Sequence, residues 1–316
     1  MGLEDGGDVS SGGAMIDVGI ITGSGIYELP GPREMRVVES RFGEAEVSIF
    51  RAGPWTVGSI SRHQKNHHHL PHTIPHQANI VALKQLEARA VLATTVVGAV
   101  DPGVRLGQPI LFDDLFFPTN LLPSGAECTV FTEPGDPARG HLIWDEPFAP
   151  RLRRRLELSA GDLGLGATVG GVYGHTNGPR FESRAEVRWM GAAGVTAVSQ
   201  TCGPEAVLAG ELELPYALVG LPVNYATGVS AESRREELDQ LLALAAEVLP
   251  KLVLRTAETL EERDLAFENG YVYRMEGGVG ARRHDPPAPD PGSGTRRPGG
   301  VARGRDGPRE AGSLPV

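Results

Sequence analysis

Short, unbroken apolar runs recur along the chain, separated by longer stretches in which apolar positions return every three or four residues. "IDVGIIT" (16–22), "AVLATTVV" (90–97), "QPILFDD" (108–114), "VTAVSQ" (195–200) and "YALVGLPV" (216–223) are runs of the first kind. They are too short for core helices and rich in β-branched residues, so they predict strands buried on both faces. The intervening pattern predicts helices over 75–88, 147–158, 182–193, 204–211 and 231–262. Strand alternating with helix implies a three-layer α/β/α sandwich on a mixed, largely parallel sheet.

The pattern fails at both ends. From Gly277 to Val316 the chain holds ten Gly, seven Pro and seven Arg with almost no large apolar residue. Such a stretch cannot bury enough surface to offset its ordering entropy, and it reads as a disordered tail. Residues 1–14 read the same way, which leaves one domain over 15–276. That is ample for a sizeable core within 316 residues, of which 40 % are hydrophobic and 22 % charged.

A formal net charge of −10 argues against a general nucleic-acid binder. Two cysteines, Cys128 and Cys202, are too few for a disulfide framework and fit a reducing compartment. With no signal-like N-terminus and no apolar run of membrane length, the expectation is a soluble cytoplasmic protein.

In open α/β sheets ligands lie beyond the carboxyl ends of strands, so the residues there carry the chemistry. Gly23, Ser24 and Gly25 follow the first strand. Arg62 and His63 follow "SI" at 59–60, Thr95 lies at the end of "AVLATT", and Thr201 follows "VTAVSQ". Hydroxyls, a guanidinium, an imidazole and glycine-exposed amides are the parts of an oxyanion cradle. Each is weak alone, and "GSG" lacks the spacing of a dinucleotide fingerprint. Converging on one sheet end, they favour phosphate or sulfate.

The order "ITGSG", "SRHQKNH", "HQANIVALK", "ATTVVGAV", "GPRFESRAE", "GPEAVLAGELELPYA" and "PVNYATG" resembles the trimeric purine nucleoside phosphorylase superfamily, in its methylthioadenosine and methylthioinosine phosphorylase branch. The resemblance spans roughly 16–262. It implies a single-domain homotrimer that cleaves a nucleoside with inorganic phosphate, yielding a free purine and a ribose 1-phosphate. Phosphate is then a co-substrate, and neither a cofactor nor a metal is expected. Ser24, Arg62, His63, Thr95, Thr201 and the backbone of Val96 would take phosphate. Phe181 would stack on the purine, Asn224 would reach its N7/C6 edge, Gln200 would lie along the ribose where Met is usual, and His141 would serve the neighbouring subunit's 5′ pocket.

Donors and acceptors then bear on the base. A 6-oxopurine presents an acceptor at C6 and an N–H at N1, while a 6-aminopurine presents a donor at C6 and a bare N1. Asn224 stands where adenine-cleaving relatives carry Asp, and Ala226 where they often carry a second one. Glu182 stands where they carry Ser. An amide donates to O6, and a carboxylate accepts from N1–H but repels a bare N1. The pair therefore predicts preference for inosine, guanosine or 5′-methylthioinosine. Two alternatives remain open. Taken without Asn224, Glu182 reads as a first-turn acid favoured by a helix dipole, and the chain can be read as an S-methyl-5′-thioadenosine phosphorylase. A further alternative, of another class, is a nucleoside- or metal-binding relative without turnover.

Six of nine histidines crowd between His63 and His76. They lack regular ligand spacing with Cys or acid, so a solvated loop is expected, with His63 at phosphate and His67 near the site. His175 and Cys202 read as structural, and Glu205 as orienting either the ribose hydroxyls or the local turn. The residues that would choose between a 5′-hydroxyl and a methylthio group fall after Gly228, beyond clear alignment.

Overall fold

The computed structural model describes residues 15–31, 33–230 and 235–274. The expected terminal extensions, 1–14 and 277–316, lie outside them, as do 231–234 at the expected start of the last helix. In chain order the elements are β1 (Val18–Thr22), β2 (Glu34–Ser40), β3 (Gly43–Ala52), β4 (Trp55–Ser61), α1 (His76–Gln85), β5 (Ala90–Ala99), β6 (Ile110–Leu111), β7 (Asp114–Phe116), β8 (His141–Trp144), α2 (Pro150–Asp162), β9 (Thr168–Val169), β10 (Val172–His175), α3 (Arg184–Ala192), β11 (Val195–Ser199), α4 (Cys202–Glu211), β12 (Tyr216–Tyr225), α5 (Arg235–Thr259) and β13 (Gly270–Tyr273).

One sheet runs β2-β3-β4-β1-β5-β11-β10-β7, with β12 joining β5 to β6 and β9. Its centre is parallel: β1 with β4 and β5, and β12 with β5. The flanks are antiparallel where β2, β3 and β4 form a meander and where β11 meets β5. The mixed, largely parallel sheet expected from the sequence is what forms. β8 and β13 make a separate two-stranded ribbon.

Both faces of the central strands are covered. Alternate side chains of β1, β5 and β12 point into two apolar layers. Ile21, Val91 and Leu218 join Leu83 of α1 and Leu208 of α4 on one side. Ile20, Leu92 and Val219 join Leu152 of α2 and Leu249 of α5 on the other. That is why these strands read as continuous apolar runs rather than as alternation.

The expected strand at 108–114 divides in two. Asp113 accepts a hydrogen bond from the Gly171 amide at 2.8 Å, and the chain changes partners there. β6 pairs with β12, and β7 with β10. The β2–β3 hairpin was not expected, because "EMRVVES" is mostly exposed and has no apolar run. The described part of the last helix, 235–259, ends three residues short of 262.

Candidate functional site

Strand register assembles the anion-binding candidates. Thr22 of β1 stands opposite Ser61 of β4, and Ile21 opposite Ala93 of β5. Gly23–Ser24 and Arg62–His63 therefore leave the sheet at one level, beside Thr95–Val96 in the middle of β5. β11 runs antiparallel to β5, with Val198 opposite Gly98, which brings the following residues back to the same place. Thr95 Oγ1 lies 3.3 Å from Ser199 Oγ, and Thr201 sits at the N-cap of α4 with no side-chain capping bond. The Gly23 amide donates to Thr94 Oγ1 at 3.3 Å. Thr95 Oγ1 also donates to the Val96 carbonyl at 3.1 Å, and Thr201 Oγ1 lies 3.4 Å from Cys202 Sγ; backbone N–H groups and hydroxyls gathered at a helix start are groups that can receive a tetrahedral oxyanion.

Arg62 is fully buried. Its Nε and Nη2 grip Glu205 through both carboxylate oxygens, at 2.6 and 2.7 Å. Nη2 also reaches Cys202 Sγ at 3.5 Å, and Nη1 donates to the Thr94 carbonyl at 2.8 Å. Of five N–H groups one remains, on Nη1. That nitrogen lies against Gly23, where an added Cβ would stand 3.0 Å from it. The glycine thus lets the turn after β1 close onto the guanidinium. Glu205 is held on its other side by the Tyr216 hydroxyl at 2.8 Å. Burial opposes its ionisation, but Arg62 outweighs burial and keeps it a carboxylate. Glu205 therefore orients Arg62, and its place in the network favours neither the ribose nor a turn.

His63 is buried, with Nδ1 on the His69 carbonyl at 2.8 Å and its ring stacked on His67 at 4.1 Å. Desolvation pushes its pKa down to about 4, so it stands neutral at pH 7. His76 and His175 lie deeper and are likewise neutral, pushed by burial to about 4 and about 3. The loop that carries His63 and His67 is strained. Gln64, Asn66 and His67 all adopt positive φ, at 54°, 62° and 55°, which non-glycine residues rarely do outside functional sites. Among the described residues, no group of three His, Cys, Asp or Glu side chains is placed to hold a metal ion.

The base candidates gather on the neighbouring corner. Phe181 is 78 % exposed and offers a bare aromatic face. Glu182 is buried and takes a hydrogen bond from Thr176 Oγ1. It does not belong to the helix. Ser183 is the N-cap of α3 and closes a capping box with Glu186, so the first-turn acid is Glu186. The helix-dipole account of Glu182 is set aside by that geometry. Asn224 follows a register shift in β12 between Pro222 and Asn224. Such bulges re-aim side chains, and its amide comes to lie over Gly98 of β5, donating to the Tyr225 carbonyl at 2.9 Å. Gln200 is buried and turned toward the corner, with Nε2 on the Arg180 carbonyl at 2.8 Å.

His141 is not part of this assembly. It is exposed on β8, beside β13, and that ribbon packs at the C-terminal end of α4, where Leu142 and Trp144 meet Gly210. The cradle lies at the opposite end of the same helix. Sequence reasoning missed Thr94, Tyr216 and the Glu205–Arg62 pair. Nothing local marks a contact made across 143 residues, and a tyrosine opening a buried strand looks like core.

Hydroxyls, a guanidinium and backbone amides at the centre of a doubly covered sheet, beside a corner with one flat face and polar groups of both kinds, fit an α/β group-transfer enzyme. A family model described as the phosphorylase superfamily matches residues 17–258, and the chain belongs to that superfamily, as a pentosyltransferase of the nucleoside phosphorylase kind. It is 33 % identical over 243 residues to a 6-oxopurine nucleoside phosphorylase of Pyrococcus furiosus, covering 75 % of this chain and 90 % of the relative. It is 35 % identical over 250 residues to an S-methyl-5′-thioadenosine phosphorylase of Mycolicibacterium smegmatis, covering 77 % and 91 %. Its fold is similar to that of a methylthioadenosine phosphorylase from an antarctic soil metagenomic library, with a TM-score of 0.69 at 23 % identity over 77 % of this chain and 86 % of that one.

Proposed function

We propose that this enzyme cleaves 6-oxopurine nucleosides, inosine, guanosine or 5′-methylthioinosine, with inorganic phosphate as co-substrate and without a cofactor. The observation that carries the reading is Glu182. It is buried outside the helix with one oxygen taken by Thr176, so the other is left to accept, and the N1–H of an oxopurine is the donor it fits. Asn224 supplies the matching donor for O6 and reaches N7.

In this reading phosphate sits among Ser24, Arg62, His63, Thr95, the backbone of Val96 and Thr201, under the sugar, while Phe181 stacks on the base. Positive charge develops on the ribose and negative charge on the departing purine. A held anion stabilises the first, and hydrogen bonds to the base that strengthen as it becomes anionic stabilise the second. Neutral His63 spends its one N–H, on Nδ1, on the His69 carbonyl at 2.8 Å, which leaves Nε2 a lone pair that can accept a P–OH hydrogen of a protonated phosphate.

Relatives of both base types stand at similar identity, so the residues must decide. Steady-state kinetics on methylthioinosine and methylthioadenosine, with phosphate present and absent, is the test. Phosphate-dependent release of hypoxanthine at the higher kcat/KM supports the reading. A preference for the adenine member would make the chain an S-methyl-5′-thioadenosine phosphorylase instead.

We further propose a homotrimer in the cytoplasm. Both cysteines are free and buried, in keeping with a reducing compartment. Exposed Phe181, at the open side of the site, and exposed His141, at the far end of α4, are the parts that a neighbouring subunit would bring together.

A further inference from the structure

We propose that Gln200 is a positioning residue that sets the base preference by clasping the 178–182 corner, and that it does not act on the sugar. This rests on the base-site reading above.

Gln200 is the single residue between the end of β11 at Ser199 and Thr201 at the N-cap of α4. Its backbone is thus continuous with the oxyanion seat. Its side chain is 8 % exposed and spans the corner. Nε2 donates to the Arg180 carbonyl at 2.8 Å. Oε1 rests on Gly178 so closely that a Cβ there would come within 2.1 Å of it, and within 3.2 Å of Pro71 Cβ. Gly178 therefore packs against Gln200 and Pro71 of the histidine-rich loop, and glycine is required for the amide to fit.

Little else ties this corner down. Asn177, Pro179, Arg180 and Phe181 are exposed, and the Arg180–Glu186 ion pair is a surface contact. Among the described residues three bonds tie it inward: Asn177 Oδ1 to buried His175 Nε2 at 3.1 Å, before the turn, the Thr176–Glu182 bond, and the Gln200 clasp, which alone grips the turn between Gly178 and Phe181. The Arg180 carbonyl is two residues from Glu182, so the clasp fixes where that carboxylate meets the purine. A hydrogen bond at the base edge is lost with a displacement of about 1 Å. Glu182 distinguishes bases only through N1, which is protonated in one class and bare in the other. Releasing the corner removes both the gain for oxopurines and the penalty for adenine. A residue lying along the ribose would instead affect both classes alike.

The test uses Gln200→Met, which keeps the bulk without an N–H, and Gln200→Glu, which keeps the shape without a donor. Both are assayed on methylthioinosine and methylthioadenosine. The expected result is a fall of about tenfold or more in the ratio of the two kcat/KM values, with the phosphate KM within about twofold of wild type. Gly178→Ala should reproduce the fall in the wild-type background and add nothing to Gln200→Ala, as expected of a coupled pair. Equal loss on both nucleosides, or an unchanged ratio, overturns the proposal. Failure of the underlying base reading is seen separately, as a wild type that prefers the adenine member. Amide exchange over 180–186 in the unliganded protein then reads the clasp alone: faster exchange in Gln200→Met supports it, and unchanged exchange overturns it.

Discussion

Asn224 and Arg62 show how differently two polar residues of one site respond to substitution. Asn224 is half-buried and its amide has one protein partner. Asn224→Asp should fold normally, lower oxopurine turnover and raise adenine turnover. A carboxylate opposes O6 but accepts from a 6-amino group, and the mismatch is worth about 1–3 kcal/mol, roughly five- to 150-fold. The effect should fall on kcat more than on KM, because the contact strengthens as charge builds on the base. Adding Glu182→Ser should carry the switch further; steady-state rates on the matched nucleosides check both. Arg62→Ala, in contrast, leaves Glu205 buried and unpaired and should cost about 3–5 kcal/mol of stability. Thermal unfolding would register that before any assay did. Thr95→Val is the cleaner probe of phosphate. It should raise the phosphate KM about tenfold or more while costing about 1 kcal/mol in a melt. Most of the residues proposed for phosphate stood out in the sequence as residue types at or near strand ends. The partner that holds Arg62 was not, because the pair joins β4 to α4 through the fold alone.

The elements divide along the same line. Strands buried on both faces announce themselves as apolar runs, and β1, β5, β11 and β12 lie within a few residues of their expected bounds. The half-exposed hairpin of β2 and β3 has no such run and was not legible. At 108–114 a side chain bonded across the chain breaks a strand that composition alone would continue. The start of α3 matters most for function. A first turn beginning at Glu182 and one beginning after Ser183 look nearly alike in sequence, and only the capping box tells them apart. Ser183→Ala should therefore lower stability by about 1 kcal/mol yet keep the oxopurine preference, because Glu182 is held by Thr176. Melting curves and the nucleoside ratio together check this. A lost preference would mean that the helix start, and not the corner, positions the acid.

For the whole molecule, three buried neutral histidines tie stability to pH. His63 and His76 have pKa values near 4 and His175 near 3, against about 6.5 in an unfolded chain. Above pH 6.5 neither state holds the extra protons, and these residues contribute no slope. Between 6.5 and about 4 the unfolded state binds them and the native state does not. Stability should then fall as the pH drops, by about 1.4 kcal/mol per histidine per unit. Urea unfolding at pH 7, 5.5 and 4.5 would measure it, and a flat profile would contradict the neutral state of the three. The proposed trimer is also a whole-molecule matter: sedimentation should find three copies, and a fully active monomer would refute it.

The two halves of the site are built to unequal standards. Thr95 and Val96 lie inside a ten-residue strand flanked by β1, β11 and β12, and Arg62 is locked by four hydrogen bonds to three residues. In the proposed base half, Asn224 stands on β12, but Phe181 and Glu182 belong to a surface corner held inward by Thr176, Gln200 and the Asn177–His175 bond. Mutation can therefore explore the second without endangering the first. A lineage with this architecture can drift from one purine class to another through a few tolerated substitutions while its capacity to use phosphate persists. That is an economical route by which relatives of similar identity come to bear different substrate names.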